Sequence, residues 1–393
     1  MKSLDAEIGR IERAPKDGKA PRSAHVEADP LGRLKAERER LRRLGFPPEL
    51  PTSYAVSEGK PEDAAIQKAG DPAQRGPIVP RGVPRFEFLG MAPPPPPGKS
   101  ESGRRELSDW LSRPDNPLTP RVIANRIWQH HFGKGIVPTS SNFGLRGEPP
   151  SHPELLDWLA ARLVSTGWSL KDLHRQILMS RTYRLAGADD PSNFTVDPGN
   201  RLLWRADRRR LDAESIRDGM LAVSGRLDLR RAEAHPFPPI EQWPWTQHNA
   251  FKASYATDRR SVYLMTQRLV KHPFLGLWDG PDTNTSTEAR PRSTVPLQAL
   301  FLLHNPFVRD QASALAERLR REVPGPTARL ERLWELAWGR PPSPGERVRS
   351  LRYLGDYAHA ASAKGEKQGD PELGAWASLS RLVLTANEFL YVD

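Results

Sequence analysis

The sequence predicts a mainly α fold: a multi-helix domain with at most a small β element, preceded by an extended Pro-rich arm. Two observations predict the helices. From Arg104 onward, apolar residues recur at helical spacing in one segment after another. Glycines, prolines and capping side chains mark the ends of those segments. A third observation predicts the arm: 40 prolines, about twice average usage, and a hydrophobic content of 37% leave much of the N-terminal quarter outside any packed core.

Taken in order, residues 1–30 are charged and broken by prolines, the composition of a disordered segment. Residues 31–45 carry Leu31, Leu34, Leu41 and Leu44 among alternating charges, a short amphipathic helix lacking the three or four heptads of a coiled coil. Residues 46–103 read as an extended Pro/Gly-rich arm and linker, with the run Pro93–Pro97 favouring polyproline II. Gly98-Lys99-Ser100 resembles the end of a phosphate-binding loop. That loop needs a glycine where Pro93 stands and a strand leading into it, so the segment is linker.

The helical domain is expected over 104–393. After a first helix at 104–113, Thr119-Pro120 reads as a helix start, with the hydroxyl taking an orphan N–H. Ala124, Ile127, Trp128 and His131 then share one face, Asn125 and Gln129 another, and Gly133 and Gly135 end the helix. An irregular segment from Ile136 to Pro150 follows. Ser151 and Glu154 read as a capping box opening a helix over 152–166, stopped by Gly167. Ser169 and Asp172 open the next. Asn200–Arg210 is short and heavily basic, and Leu211–Ser224 is a helix stopped by Gly225. Residues 226–258 are irregular, and HPFPPIEQWPWTQHNAF at their centre is either a sugar-stacking platform or a loop pinned by its tryptophans. Ser261–Met265 is the best candidate strand. Helical patterns return at 296–303, 307–322, 326–338, 344–360 and 374–386, with Ser343 and Glu346 forming a second capping box.

Composition excludes several chemistries. With no cysteine there are no disulfides, thiolate metal sites, cysteine nucleophiles or covalent haem attachment. No apolar run is long enough for a transmembrane helix, and the first residues lack the apolar segment of a signal peptide. The net charge of +11 is diffuse, with +4 in residues 1–100 and +7 in the remainder, carried by 46 Arg and 13 Lys. A basic stripe with interleaved aromatics is missing, which argues against nucleic acid as a dedicated partner.

Three polar constellations are candidates for a site. The first is Asn125 and Arg126 on the helix with Asn142, Arg146, Glu148 and His152 in the following loop; its bland alternative is that these groups satisfy the loop's own backbone. The second is Glu214, Arg217 and Asp218 on one helix face, where paired carboxylates serve acid–base chemistry if burial separates their pKa values, and otherwise form a salt-bridged surface. The third is Asp279–Asn284 with Arg290 and Arg292, contributing Asp282 as a candidate acid and Asn284 and Arg292 as binding groups. Adjacent His130 and His131 point about 100° apart on a helix and so do not share a metal.

NPLTPRVIANRIWQHHFGKGIV, NFGLRGEPPSHPELLDWLA, GWSLKDLHRQILMSRTYR, NRLLWRADRRRLDAESIRDGMLAVSGRLD, WDGPDTN, RSTVPLQALFLLHNPFV, LAWGRPPSPGE and NEFLYVD occur here in that order. Together they resemble the planctomycete PSD1 domain, also called domain of unknown function 1553. The resemblance implies a module at the end of large exported proteins, after cytochrome-c-like and PSCyt2 domains, and a suggested link to polysaccharide breakdown. Haem is then expected only in an upstream domain or partner, and the location implied is the cell envelope. This chain lacks the haem motif and the PSCyt2-like region, and is expected to correspond to the C-terminal part of that architecture.

The expected function is a non-catalytic scaffold or docking domain of an extracytoplasmic redox or polysaccharide-processing system. The rival expectation is a glycan-binding or hydrolase-like domain, its site built from the 142–152 loop, the Glu214 helix and the 279–292 loop. Non-specific nucleic-acid binding through net charge ranks third.

Overall fold

Proline sets where most helices begin. Nine of the fourteen α-helices among the described residues open on proline, whose fixed φ suits the first turn and whose missing N–H would have had no intrahelical acceptor there. The computed structural model describes residues 30–43, 59–83, 91, 94–98, 100–232, 235, 242–246, 248–249, 251, 253, 255–363 and 370–392. The disorder expected for residues 1–30 therefore falls almost wholly outside the described residues, as does part of the HPFPPIEQWPWTQHNAF loop.

The chain divides into two units, the first comprising Met1–Pro84 with Pro94–Ser108. It contains α1 (Pro30–Arg43) and a hairpin of β1 (Ala64–Gln67) and β2 (Arg75–Val79), antiparallel with Ala64 opposite Val79 and Ala65 opposite Ile78. The hairpin lies within the segment read as an extended arm. Its turn needs left-handed backbone at Ala69 (φ 52°) and Gly70 (φ 79°). Arg81 pairs with Asp63 at 2.9 Å and donates to the Glu101 carbonyl, holding the ends of this segment.

The second unit, Arg85–Pro93 with Asp109–Asp393, is helical. After α2 (Arg104–Ser112) come α3 (Thr119–Phe132), α4 (Pro153–Ser165), α5 (Leu170–Met179) and the short α6 (Pro191–Val196). Ala124, Ile127 and Trp128 of α3 pack with Leu156, Leu159 and Leu163 of α4 and Leu173 and Ile177 of α5 around one core. A second core is built from α7 (Ala213–Ser224), α8 (Pro273–Leu277), α9 (Pro296–His304), α10 (Pro306–Glu322), α11 (Pro326–Trp338), α12 (Pro344–Ala363), α13 (Pro371–Leu384) and α14 (Asn387–Leu390). Its centre is α10, packed on α13 and α7, with Val308, Leu315, Ala316 and Leu319 fully buried. Two residues, β3 (Arg209–Arg210), pair antiparallel with β4 (Tyr391–Val392), bringing the last strand beside the start of α7.

Polar side chains finish the helix ends, sometimes other than the sequence suggests. Thr119 does not cap α3, whose N-cap position is Leu118; ahead of it, Asn116 Oδ1 accepts from the Leu118 and Thr119 amides at 2.9 and 3.1 Å. Ser151 and Glu154 form no capping box, because the Ser151 amide and hydroxyl both donate to the Ile136 carbonyl and α4 starts one residue later, after His152. Ser343 and Glu346 do form theirs, at 3.3 and 2.7 Å. The expected strand at Ser261–Met265 is instead a 3₁₀ turn at Ser261–Tyr263. Ser261 donates its amide and hydroxyl to Asp218, at 2.8 and 2.6 Å, which leaves a single turn anchored to α7 rather than an edge seeking a ladder. The short helices α6, α8 and α14 have too few residues to show a period in sequence.

Candidate functional site

Where the C-terminal end of α3, strand β3 with the start of α7, and the 278–292 loop come together, they enclose a cavity of about 490 Å³. That volume is in the range of small-ligand pockets. Five arginines line it: Arg126 from α3, Arg209 and Arg210 from β3, and Arg290 and Arg292 from the loop.

Gly133 makes the arrangement possible. Its φ of 82° ends α3. A Cβ there would stand 2.8 Å from Arg209 Cδ and 3.4 Å from Arg292 Nη1, so both arginine side chains lie against the bare helix end. Arg209 also donates to the His130 carbonyl at 3.3 Å, a cation meeting the carbonyl end of a helix.

Two of the five arginines are neutralised. Arg210 is buried, lies 2.5 Å from Asp279 and donates to the Ser293 carbonyl and Gln298 Oε1, with its guanidinium over the Trp278 ring. Asp279 also accepts from the Ser293 amide and hydroxyl, each at 2.8 Å. Partial burial pushes its carboxyl up, but the Arg210 guanidinium and the Ser293 donors outweigh this and hold it below the usual carboxylate range. Arg290 forks onto Glu214 at 2.6 and 3.1 Å and approaches Asp212 at 3.6 Å.

The other three form no ion pair with an acidic side chain among the described residues, although Asp212 attracts Arg292 from beyond ion-pair distance. Arg126 and Arg292 make neither a hydrogen bond nor an ion pair there, and Arg209 has only the His130 carbonyl. Loss of solvent around the Arg292 guanidinium, together with the like charges of Arg209 and Arg210, pushes its pKa below the ordinary arginine value. Two buried donors of the wall, Arg210 Nε and Trp278 Nε1, also lack a hydrogen-bond partner among the described residues.

The three constellations singled out in sequence do not make one pocket. Glu214 and the 279–292 loop meet through Arg290, and Arg126 and Arg292 share the cavity. The 142–152 loop instead borders a separate, mostly apolar groove of about 1100 Å³, where Glu148 lines the wall beside Phe143 and Leu156. Glu288 joins the two: its carboxylate accepts from the Ser141 amide at 3.0 Å and its carbonyl from Gln129 Nε2 at 3.1 Å.

Several candidates serve the backbone. Asn125 is fully buried, its amide exchanging both bonds with the Val137 main chain at 2.8 and 3.0 Å. Gly135 is required beside it, since a Cβ would lie 2.5 Å from the Val137 carbonyl. Asp218 holds Ser261, and Arg217, buried next to it, donates to the Arg259 and Thr257 carbonyls. Asp282 accepts from the Asn284 amide at 3.1 Å, which chiefly keeps its carboxyl low, while Asn284 itself donates to the Arg268 carbonyl at 2.8 Å. His152 bonds Ser151 at 2.9 Å, and Arg146 is exposed.

Sequence reading missed Arg209, Arg210, His130 and Glu288 as site residues. The one signal was the run Arg208–Arg210 directly before the Asp212 cap of α7. Among the described residues, no group of three or more His, Asp or Glu side chains is placed to hold a metal ion, and no helix is long and apolar enough to cross a membrane.

No curated protein and no solved structure matches the chain. One family model does, over residues 103–354, described as PSD1, protein of unknown function (DUF1553). The NEFLYVD segment lies beyond the matched residues. Since that match takes in well over half of the 393 residues, the chain belongs to the PSD1 family.

Proposed function

We propose that the chain is a non-catalytic binding and docking module, with the arginine-lined cavity as its recognition site. One observation carries this reading: the carboxylates proposed for acid–base work are already committed. Glu214 is held by Arg290, Asp218 by Ser261 and Asp282 by Asn284, whereas three guanidiniums facing the cavity are not. Acid–base catalysis needs a carboxyl poised to exchange its proton. Recognition of an acidic group needs only fixed donors.

The partners follow from the resemblance: cytochrome-c-like and PSCyt2-type domains, within an extracytoplasmic redox or polysaccharide-processing assembly. The test is to purify the full chain, assay it on neutral and sulfated glycans, and titrate it with isolated cytochrome-c-like and PSCyt2-type domains by calorimetry. Saturable binding to such a domain without turnover is the expected result. Turnover of any glycan by the chain alone, abolished by Glu214→Gln, overturns the reading in favour of the hydrolase.

A further inference from the structure

We propose that the cavity seats a tetrahedral oxyanion, of the sulfate or phosphate class, against Arg209, Arg292 and Arg126. This deepens the binding reading above and rests on it.

The argument begins with an imbalance of charge. Folding gathers five guanidiniums around one cavity, against the carboxylates of Asp212, Asp279 and Glu288 in its lining and that of Glu214, which holds Arg290. Those carboxylates are engaged: Asp279 with Arg210 and Ser293, Asp212 with the Ser215 amide and Arg290, and Glu288 with the Ser141 amide. Arg209 and Arg292 lie side by side over Gly133, and neither forms an ion pair with an acidic side chain among the described residues. Like charges held together raise the energy of the folded chain unless something of opposite sign offsets them. Arg210 adds an independent sign: it is only 8% exposed, yet its Nε has no hydrogen-bond acceptor among the described residues.

Geometry of the donors selects the class of anion. A guanidinium offers a planar fork of donors and no acceptor, and a carboxylate with two oxygens satisfies one such fork. A tetrahedral oxyanion presents three or four oxygens, enough to engage three arginines together. The cavity is also large enough to hold more than the ion, which suits an oxyanion ester carried on a small polar body.

Calorimetric titration of the full chain with sodium sulfate, sodium phosphate and sodium acetate, at constant ionic strength set with sodium chloride, tests this. Saturable one-to-one binding of sulfate or phosphate, about tenfold or more tighter than acetate, is expected. The tighter of the two ions names the ester carried by the natural ligand. Arg292→Met should weaken that binding about tenfold or more while leaving the melting temperature of the unliganded chain equal or higher, because a like charge is removed. Arg126→Met, at an exposed position without structural bonds, should also weaken it. Absence of saturable binding, equal affinity for acetate, or unchanged affinity in both variants overturns the proposal. If neither ion binds and no glycan is turned over, this inference fails and the docking reading stands. If sulfate binds but glycans are also turned over, the docking reading fails and the cavity becomes a substrate subsite.

Discussion

Arg210 and Asp279 form a 2.5 Å ion pair in which neither partner is well exposed, with side-chain accessibilities of 6% and 15%. The pair joins the strand that enters α7 to the loop that closes the cavity, and Ser293 ties the far end of that loop to the same carboxylate. Removing one partner leaves a buried charge uncompensated. Asp279→Ala should therefore cost about 3–5 kcal/mol in urea unfolding. Replacing both partners by apolar residues, Arg210→Met with Asp279→Leu, should cost clearly less than the single change. A single variant within about 1 kcal/mol of wild type would show that the loop is anchored elsewhere.

Glu214 and Arg290 behave differently because their pair is half open to solvent, at 26% and 39% accessibility. Glu214→Gln should cost only about 0.5–1 kcal/mol. It should also leave Arg290 held only by the longer 3.6 Å contact with Asp212, and so tighten sulfate or phosphate binding by about two- to fivefold, the same free energy read as affinity. Weaker anion binding in this variant would mean that Arg290 does not face the ligand.

The fold was readable in sequence because its instructions are local. Pro296 and Pro326 start helices, Gly133 and Gly225 end them, and the capping side chains of Ser169 and Ser343 stand within three residues of the amides they bind. The last long helix instead begins at Pro371 behind its Asp370 cap, three residues before the expected 374. Where Asn116 took the amides ahead of a helix that Thr119 was expected to cap, the outcome depended on backbone geometry that spacing does not encode. The cavity was less legible, since it depends on pairings far apart in the chain. Arg210 reaches Asp279 and Tyr391, Gln129 reaches Glu288, and Arg290 reaches Glu214. Equally, nothing near Asn125 in sequence reveals that its amide will be used up by Val137.

His131 on α3 and His174 on α5 are joined through Nε2 and Nδ1 at 2.8 Å, with Tyr183 edge-on to His131. A bond between two imidazoles needs one ring to accept, so it fails when both are protonated. Burial chiefly, then the charges of His174, Arg209 and His130, lowers the His131 pKa from its ordinary 6.5. A depressed folded-state pKa gives stability that is present above the unfolded value and is lost as pH falls through the folded value. The melting temperature should therefore decline as the pH is lowered below 6.5. In His131→Gln that decline should be smaller over the same interval, and an identical pH profile for the two proteins would remove His131 as its source.

Arg340 sits at the end of α11 and gathers two carboxylates, Glu346 at 2.8 and 2.9 Å and Glu388 at 2.5 and 2.8 Å. It thereby ties α11 to the first turn of α12 and to α14. The Arg340 guanidinium, helped by the Ser343 amide, holds the Glu346 carboxyl far below its ordinary 4.5 despite partial burial. The folded state therefore prefers the ionised form. That preference stabilises the protein at every pH above 4.5 and disappears as the pH falls toward the depressed folded value. Glu346→Gln removes the charge-assisted fork and one half of the capping box, and should cost about 2 kcal/mol at neutral pH. At pH well below 4.5 wild type and variant should converge in stability, because wild-type Glu346 is then losing its charge as well. Unfolding by urea at a series of pH values measures both curves. A gap between them that stays constant into acid would mean that the carboxylate acts through packing rather than through its charge.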